Sequence, residues 1–246
     1  MQKIEDIAGG EVVQYHDGQF LRVEKTLHQL HAPNIESFLR ENENFLTKDS
    51  LVNQFPRLKN IIKSKIVFLD IETAGFYPNN QIISASLGKM NGDIRFECIF
   101  ARDPGEEELI LSYIIEELGK YEAVFTYNGE AFDIFRLARR IESKGLLPKN
   151  GFHKNFKQVL APKHCDLYQE ARKKMHLPDN RLQTIEKLIV GHSREHEISG
   201  RQIGRVYNEY VNGADNLADI KKIIYHNLID AAATIAVPAY LASLRK

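Results

Sequence analysis

A chain of 246 residues with 43% hydrophobic content is long enough to bury one substantial core. Its 33 basic and 33 acidic residues cancel, so net charge argues neither for nor against a nucleic-acid partner. It shows no long apolar span and no leader pattern, and its two cysteines make neither a zinc spacing nor a disulfide framework; a monomeric cytoplasmic protein with no membrane partner is expected.

In chain order, residues 1–64 read as an N-terminal appendage and 65–246 as the main domain. Asp17-Gly18, between Glu11–Tyr15 and Gln19–Thr26, is a hairpin signal, and Asn34 is expected to cap a helix containing Ile35, Phe38 and Leu39. Strands are predicted at Ile66–Asp70, Ile82–Leu87 and Ile94–Phe100, the latter two joined at Asn91-Gly92. An amphipathic helix near Glu106–Leu118 leads to a strand at Val124 that ends in the turn Asn128-Gly129. A helix then opens at Phe132-Asp133, and a loop rich in Lys, Asn and Gly runs from Leu147 to Lys163. Helices at about Leu167–Met175, Arg181–Ile189, Ser199–Val211 and Leu217–Leu244 complete the pattern. This order predicts an α/β layered domain, with the N-terminal hairpin and helix packed on its side.

Candidate chemistry begins at Asp70 and Glu72, which end the apolar run Ile66-Val-Phe-Leu. At i and i+2 on a strand they share one face, and two like charges there call for a cation between them. A hard divalent metal is the simplest candidate; a strand end surfacing into solvent is the alternative. Asp133 opens a helix just past a strand and so can reach the same sheet edge, or can simply cap that helix. His226 and Asp230, at i and i+4 of the last helix, share a face. Tyr127 and Phe132 are available to stack bases, though aromatics beside a strand also serve as core. Asp166 can support a metal shell or cap the following helix. The even charge total hides a gradient: Phe135–Met175 holds eleven Lys or Arg against three acids. Arg136, Arg139, Arg140 and Lys144, then Lys149, Lys154, Lys157 and Lys163, can neutralise phosphates or form a solvated face. The remaining histidines, His16, His28, His31, His153, His176, His192 and His196, show no metal spacing.

Taken together, Asp70-x-Glu72-Thr73, Tyr127-Asn-Gly-x-x-Phe-Asp133 and His226-x-x-x-Asp230 resemble the three motifs of the DEDD exonuclease superfamily. The nearest likeness is to the bacterial YprB-type predicted exonucleases, and next to the proofreading domains of family B DNA polymerases. It extends over roughly Lys65 to Leu241 and includes His164-Cys-Asp166-Leu-Tyr, Arg181-Leu-Gln-Thr-Ile-Glu-Lys-Leu and Ile198-Ser-Gly200. His226 stands where polymerase-type members carry Tyr, while Tyr225 has the spacing of the His-type members; the YprB-type group shares this arrangement.

The resemblance implies a ribonuclease H-like mixed β-sheet flanked by helices. It implies a 3′–5′ exonuclease acting on single-stranded DNA or RNA 3′ ends, with two Mg²⁺ or Mn²⁺ ions held by Asp70, Glu72, Asp133 and Asp230. His226 would accept a proton from, or orient, the attacking water, with Thr73 near the terminal nucleotide and Asn128 near the sugar-phosphate. A binding module that has lost turnover and a metal-dependent endonuclease on the same scaffold are the competing expectations.

Overall fold

Alternation between two buried faces along the strand that carries Asp70 and Glu72 sets the plan of the molecule. The computed structural model describes residues 3–46, 51, 55, 65–91, 93–146, 156–175, 177, 179–191 and 198–244. Its strands are β1 (Glu11–Tyr15), β2 (Gly18–Thr26), β3 (Ile66–Thr73), β4 (Ile82–Asn91), β5 (Asp93–Phe100), β6 (Ala123–Thr126) and β7 (His164–Asp166). They form one seven-stranded mixed sheet in the order β1-β2-β5-β4-β3-β6-β7. The β3, β6 and β7 strands run parallel to one another; the other pairings are antiparallel.

The helices are α1 (Ile4–Ala8), α2 (Pro33–Glu41), α3 (Glu107–Gly119), α4 (Asp133–Ser143), α5 (Phe156–Leu160), α6 (Leu167–Met175), α7 (Leu182–Val190), α8 (Gly200–Val211) and α9 (Leu217–Ser243). Alternation along β3 sends Val67, Leu69 and Ile71 into a core shared with Ile110, Leu111 and Ile114 of α3 and Leu137 and Ile141 of α4. Ile66 and Phe68 enter the opposite core with Ile223, Ile224, Leu228 and Ile235 of α9. By the same period, Asp70 and Glu72 face α9. Burying each of these aliphatic side chains contributes about 1.5–3 kcal/mol, so α9 is fixed against the sheet by its own core face.

Several expectations shift in detail. The hairpin turn is His16-Asp17, one residue earlier than expected, because Tyr15 pairs with Gly18 and His16 takes the left-handed conformation at φ 51°. Glycine at 18 answers to packing instead: a Cβ there would meet Leu109 Cδ1 of α3 at 2.4 Å. Asn34 does not cap its helix, because Pro33 occupies the first turn and Ala32 the cap position. The N-terminal hairpin continues the main sheet, with β2 paired along β5 from Leu21↔Phe100 to Thr26↔Arg95. The expected boundary at residue 64 and the turn residue Gly92 lie outside the described residues. None of the described helices is long and apolar enough to cross a membrane.

Candidate active site

The site is built where β3 outruns its parallel neighbour. The two strands pair only from Ile66↔Ala123 to Phe68↔Phe125, so the amide of Ile71 has no strand partner on that side. The Asp133 carboxylate takes its place: Ile71 N–H donates to Asp133 Oδ1 at 3.0 Å. The first residue of α4 is thereby tied to the strand between Asp70 and Glu72. Burial pushes the Asp133 carboxyl up to about 8 against its backbone hydrogen bonds, and the charges of Glu72 and Asp166 add to the rise.

Asp70 is held from the other side of the cleft. Asn227 of α9 donates through Nδ2 to Asp70 Oδ2 at 2.6 Å. Burial, then the charges of Asp230, Asp133 and Glu72, push its carboxyl well above the usual range, with His226 opposing. His226 Nε2 lies 3.3 Å from both Glu72 Oε1 and Asp230 Oδ2, so the expected i, i+4 pair also spans to the strand. Glu72, His226 and Asp230 each offer a ligand atom within 4.8 Å of the others.

These residues fit a divalent cation on chemical grounds. Carboxylates confined so closely that two of them favour protonation are relieved by positive charge, and their hard oxygens with one imidazole suit Mg²⁺ or Mn²⁺. Asp70, Asp133 and Asp230 open onto a cleft of about 810 Å³ also lined by Tyr127, Asn128, Phe132, Arg172, Asn180 and Arg181.

The remaining expected residues divide by what they touch. Asp166 is a brace: its carboxylate accepts from the backbone amides of Asn128 at 2.8 Å, Glu130 at 3.0 Å and Tyr168 at 3.0 Å. It therefore both caps α6 and fixes the turn before Asp133, in which Asn128 adopts φ 64°. Tyr127 is largely buried, and its hydroxyl donates to Asn180 O at 2.5 Å, so it fastens the cleft wall. Phe132 is partly exposed, with the Arg136 guanidinium 4.3 Å above its ring. Thr73 is buried; its hydroxyl donates to Gly75 O at 2.7 Å.

Phosphate contacts and a solvated face were both open for the basic residues of α4, and in the fold each has a partner within the chain. Arg136 is 7% exposed and donates to the carbonyls of Gly75, Phe76 and Tyr77 at 3.1, 2.6 and 2.9 Å. Arg139 reaches Asn79 Oδ1, Arg140 pairs with Glu107, and Lys144 with Glu108. Lys163 caps the carbonyls of Leu118 and Tyr121, and Lys157 lies over Phe135. The physical reason is local: the loop after β3 runs beside α4 and presents carbonyl oxygens that Arg136 and Arg140 satisfy, while acids of α3 take Arg140 and Lys144. Lys149, Lys154, His153, His176, His192 and His196 lie outside the described residues.

Among the described residues the cations that line the cleft are Arg172 and Arg181, both exposed; position 181 stood in a recognised motif, but nothing in its spacing assigned it a contact. Asn227, which lies between His226 and Asp230 on α9, carried no signal of its own in the sequence. Phe76 and Tyr77, 65% and 79% exposed, were missed altogether. Their pedestal is clasped on both sides, by Arg136 and by Gly204 of α8, where a Cβ would meet Ala74 O at 2.4 Å.

A mixed sheet with acids gathered where its central strand leaves the parallel pairing is the architecture of a ribonuclease H-like nuclease. The chain belongs to the RNase_H superfamily, whose family model matches residues 67–242. Among solved structures it is similar to the family B DNA polymerase of the hyperthermophilic archaeon Pyrobaculum calidifontis, with TM-score 0.53 and 17% identity over 70% of this chain. The match spans 23% of the polymerase's length, and the likeness is one of fold. No curated protein sequence matches the chain.

Proposed function

We propose that the chain is a 3′–5′ exonuclease acting on single-stranded DNA or RNA with two divalent ions, Mg²⁺ or Mn²⁺. The observation that carries this reading is the meeting of Asp70, Glu72, Asp133, His226 and Asp230, drawn from β3, α4 and α9, at one sheet edge. Bound ions would supply Lewis acidity to the attacking water and to the leaving 3′ oxygen. The chain's own part is to hold the acids close together and aimed at those ions, and to present Arg172 and Arg181 to backbone phosphate. His226, with Nε2 between two carboxylates, is suited to take up a proton whose charge Glu72 and Asp230 offset. Thr73 and Asn128 flank the terminal nucleotide in this reading.

The shared 3.3 Å contacts favour a second role for His226, as an ion ligand beside Glu72 and Asp230. Incubating matched linear and circular single strands of DNA and RNA with Mn²⁺ tests the first reading. Stepwise loss of mononucleotides from linear 3′ ends, with circles intact, is expected; cutting of circles makes the protein an endonuclease. His226→Ala separates its two roles. A base loses roughly 10²–10⁴-fold in rate with Mn²⁺ affinity kept, whereas a ligand loses both.

A further inference from the structure

Asn227 is the one fully buried amide side chain on α9, and both ends of that amide are engaged. Its Nδ2 donates to Asp70 Oδ2 at 2.6 Å, and its Oδ1 receives the Cys98 thiol at 3.7 Å. The sheet register explains the bridge. Asp70 pairs with Ser86 on β4 and Ser86 with Cys98 on β5, so three adjacent strands carry acid, hydroxyl and thiol in one row. In-register neighbours point to the same face, and that face lies under α9. Asn227 therefore spans the row from its first member to its third.

The direction of the amide matters. As placed, an N–H meets the carboxylate; rotated by half a turn, the amide oxygen would meet it and repel. The Asp70 carboxylate favours the N–H end of the amide, and the Cys98 thiol, with Asn227 Oδ1 at 3.7 Å and Ile99 O at 3.8 Å as its acceptors, offers a donor to the oxygen end. The donated hydrogen bond occupies one oxygen of Asp70 and leaves the other for the cleft.

We infer that Asn227 is a positioning residue: its amide, oriented by Cys98, fixes Asp70 so that one carboxylate oxygen is turned to a divalent cation. This rests on the metal-dependent reading above, and it assigns a role to two residues outside the acidic set. Groups that orient metal ligands in this way typically contribute roughly 10–100-fold in metal affinity.

The test measures Mn²⁺ binding by titration calorimetry on substrate-free protein, beside the Mn²⁺ midpoint and KM for a fluorescent single strand. Asn227→Leu keeps the volume and removes the donor. It is expected to weaken Mn²⁺ binding on the order of 10-fold and raise the Mn²⁺ midpoint equally, with KM for the strand unmoved. Cys98→Ala should shift both in the same direction by less, and Cys98→Ser, which keeps a donor, should recover most of that shift. A merely structural Asn227 would lower the melting temperature without moving Mn²⁺ affinity. Wild-type affinity in folded Asn227→Leu overturns the inference; should that variant not fold, wild-type affinity in Cys98→Ala overturns the orienting role. Because calorimetry needs no substrate, a wild-type protein that binds Mn²⁺ yet degrades no strand refutes the proposed function instead.

Discussion

Replacing Asp133 by Asn is expected to stabilise the metal-free protein while weakening its response to metal. The buried carboxyl holds its proton up to about 8, against an ordinary value of 3.8. A folded value above the unfolded one contributes stability that is full below about pH 4 and is lost as pH rises towards 8. At pH 7 the ionised unfolded chain is favoured across about three pH units, at about 1.4 kcal/mol each, or ~4 kcal/mol. Asn keeps an oxygen for the Ile71 amide and carries no charge beside Glu72. For a chain of this length each kcal/mol moves the melting temperature by about 2–4 °C, so the variant should melt on the order of 10 °C higher in EDTA at pH 7. Thermal melts from pH 5 to 8, with EDTA or Mn²⁺, provide the assay. Wild type should melt progressively lower as pH rises in EDTA and regain the loss with Mn²⁺; the variant should show a flatter slope and a smaller Mn²⁺ gain. A wild-type melting temperature independent of pH in EDTA would refute the electrostatic account of the site.

Three other outcomes follow from the geometry. Replacing Arg172 and Arg181 together should weaken single-strand binding and lower its salt slope by about one to two, whereas replacing Arg139 and Arg140 should leave that slope alone. Arg136→Met should lower the melting temperature, because it strands three loop carbonyls, and should make the peptide bonds around Phe76 newly sensitive to limited proteolysis. Phe76→Ser with Tyr77→Ser should weaken binding of a normal strand by about 1–3 kcal/mol per stacked base, yet leave an abasic strand of equal length unaffected; equal losses on both strands would exclude stacking.

The site was legible wherever backbone period ties one residue to another. Alternation placed Asp70 and Glu72 on one face, and helical spacing brought His226 and Asp230 together, because these relations need no knowledge of the rest of the chain. What a side chain touches across the fold was not legible. The arginines of α4 looked like a phosphate surface because charge counts in a sequence cannot register carbonyl oxygens presented by a loop some sixty positions away. The strand β7 escaped notice because it is three residues long, and His164 and Asp166 obscure any apolar pattern. Asn227 escaped for a related reason: a buried amide reads the same as an exposed one until its neighbours are known.

The long helix α9 closes one core and carries His226, Asn227 and Asp230, while β3 carries the acids it must meet. A chain that has formed only its earlier strands holds Asp70 and Glu72 without their counterparts, and docking α9 must close the whole intervening loop. Assembly of the acidic site and completed burial are then a single event: partly made or partly opened protein carries isolated acids that cannot share an ion. For the nuclease proposed above, an unfinished copy would then be inactive.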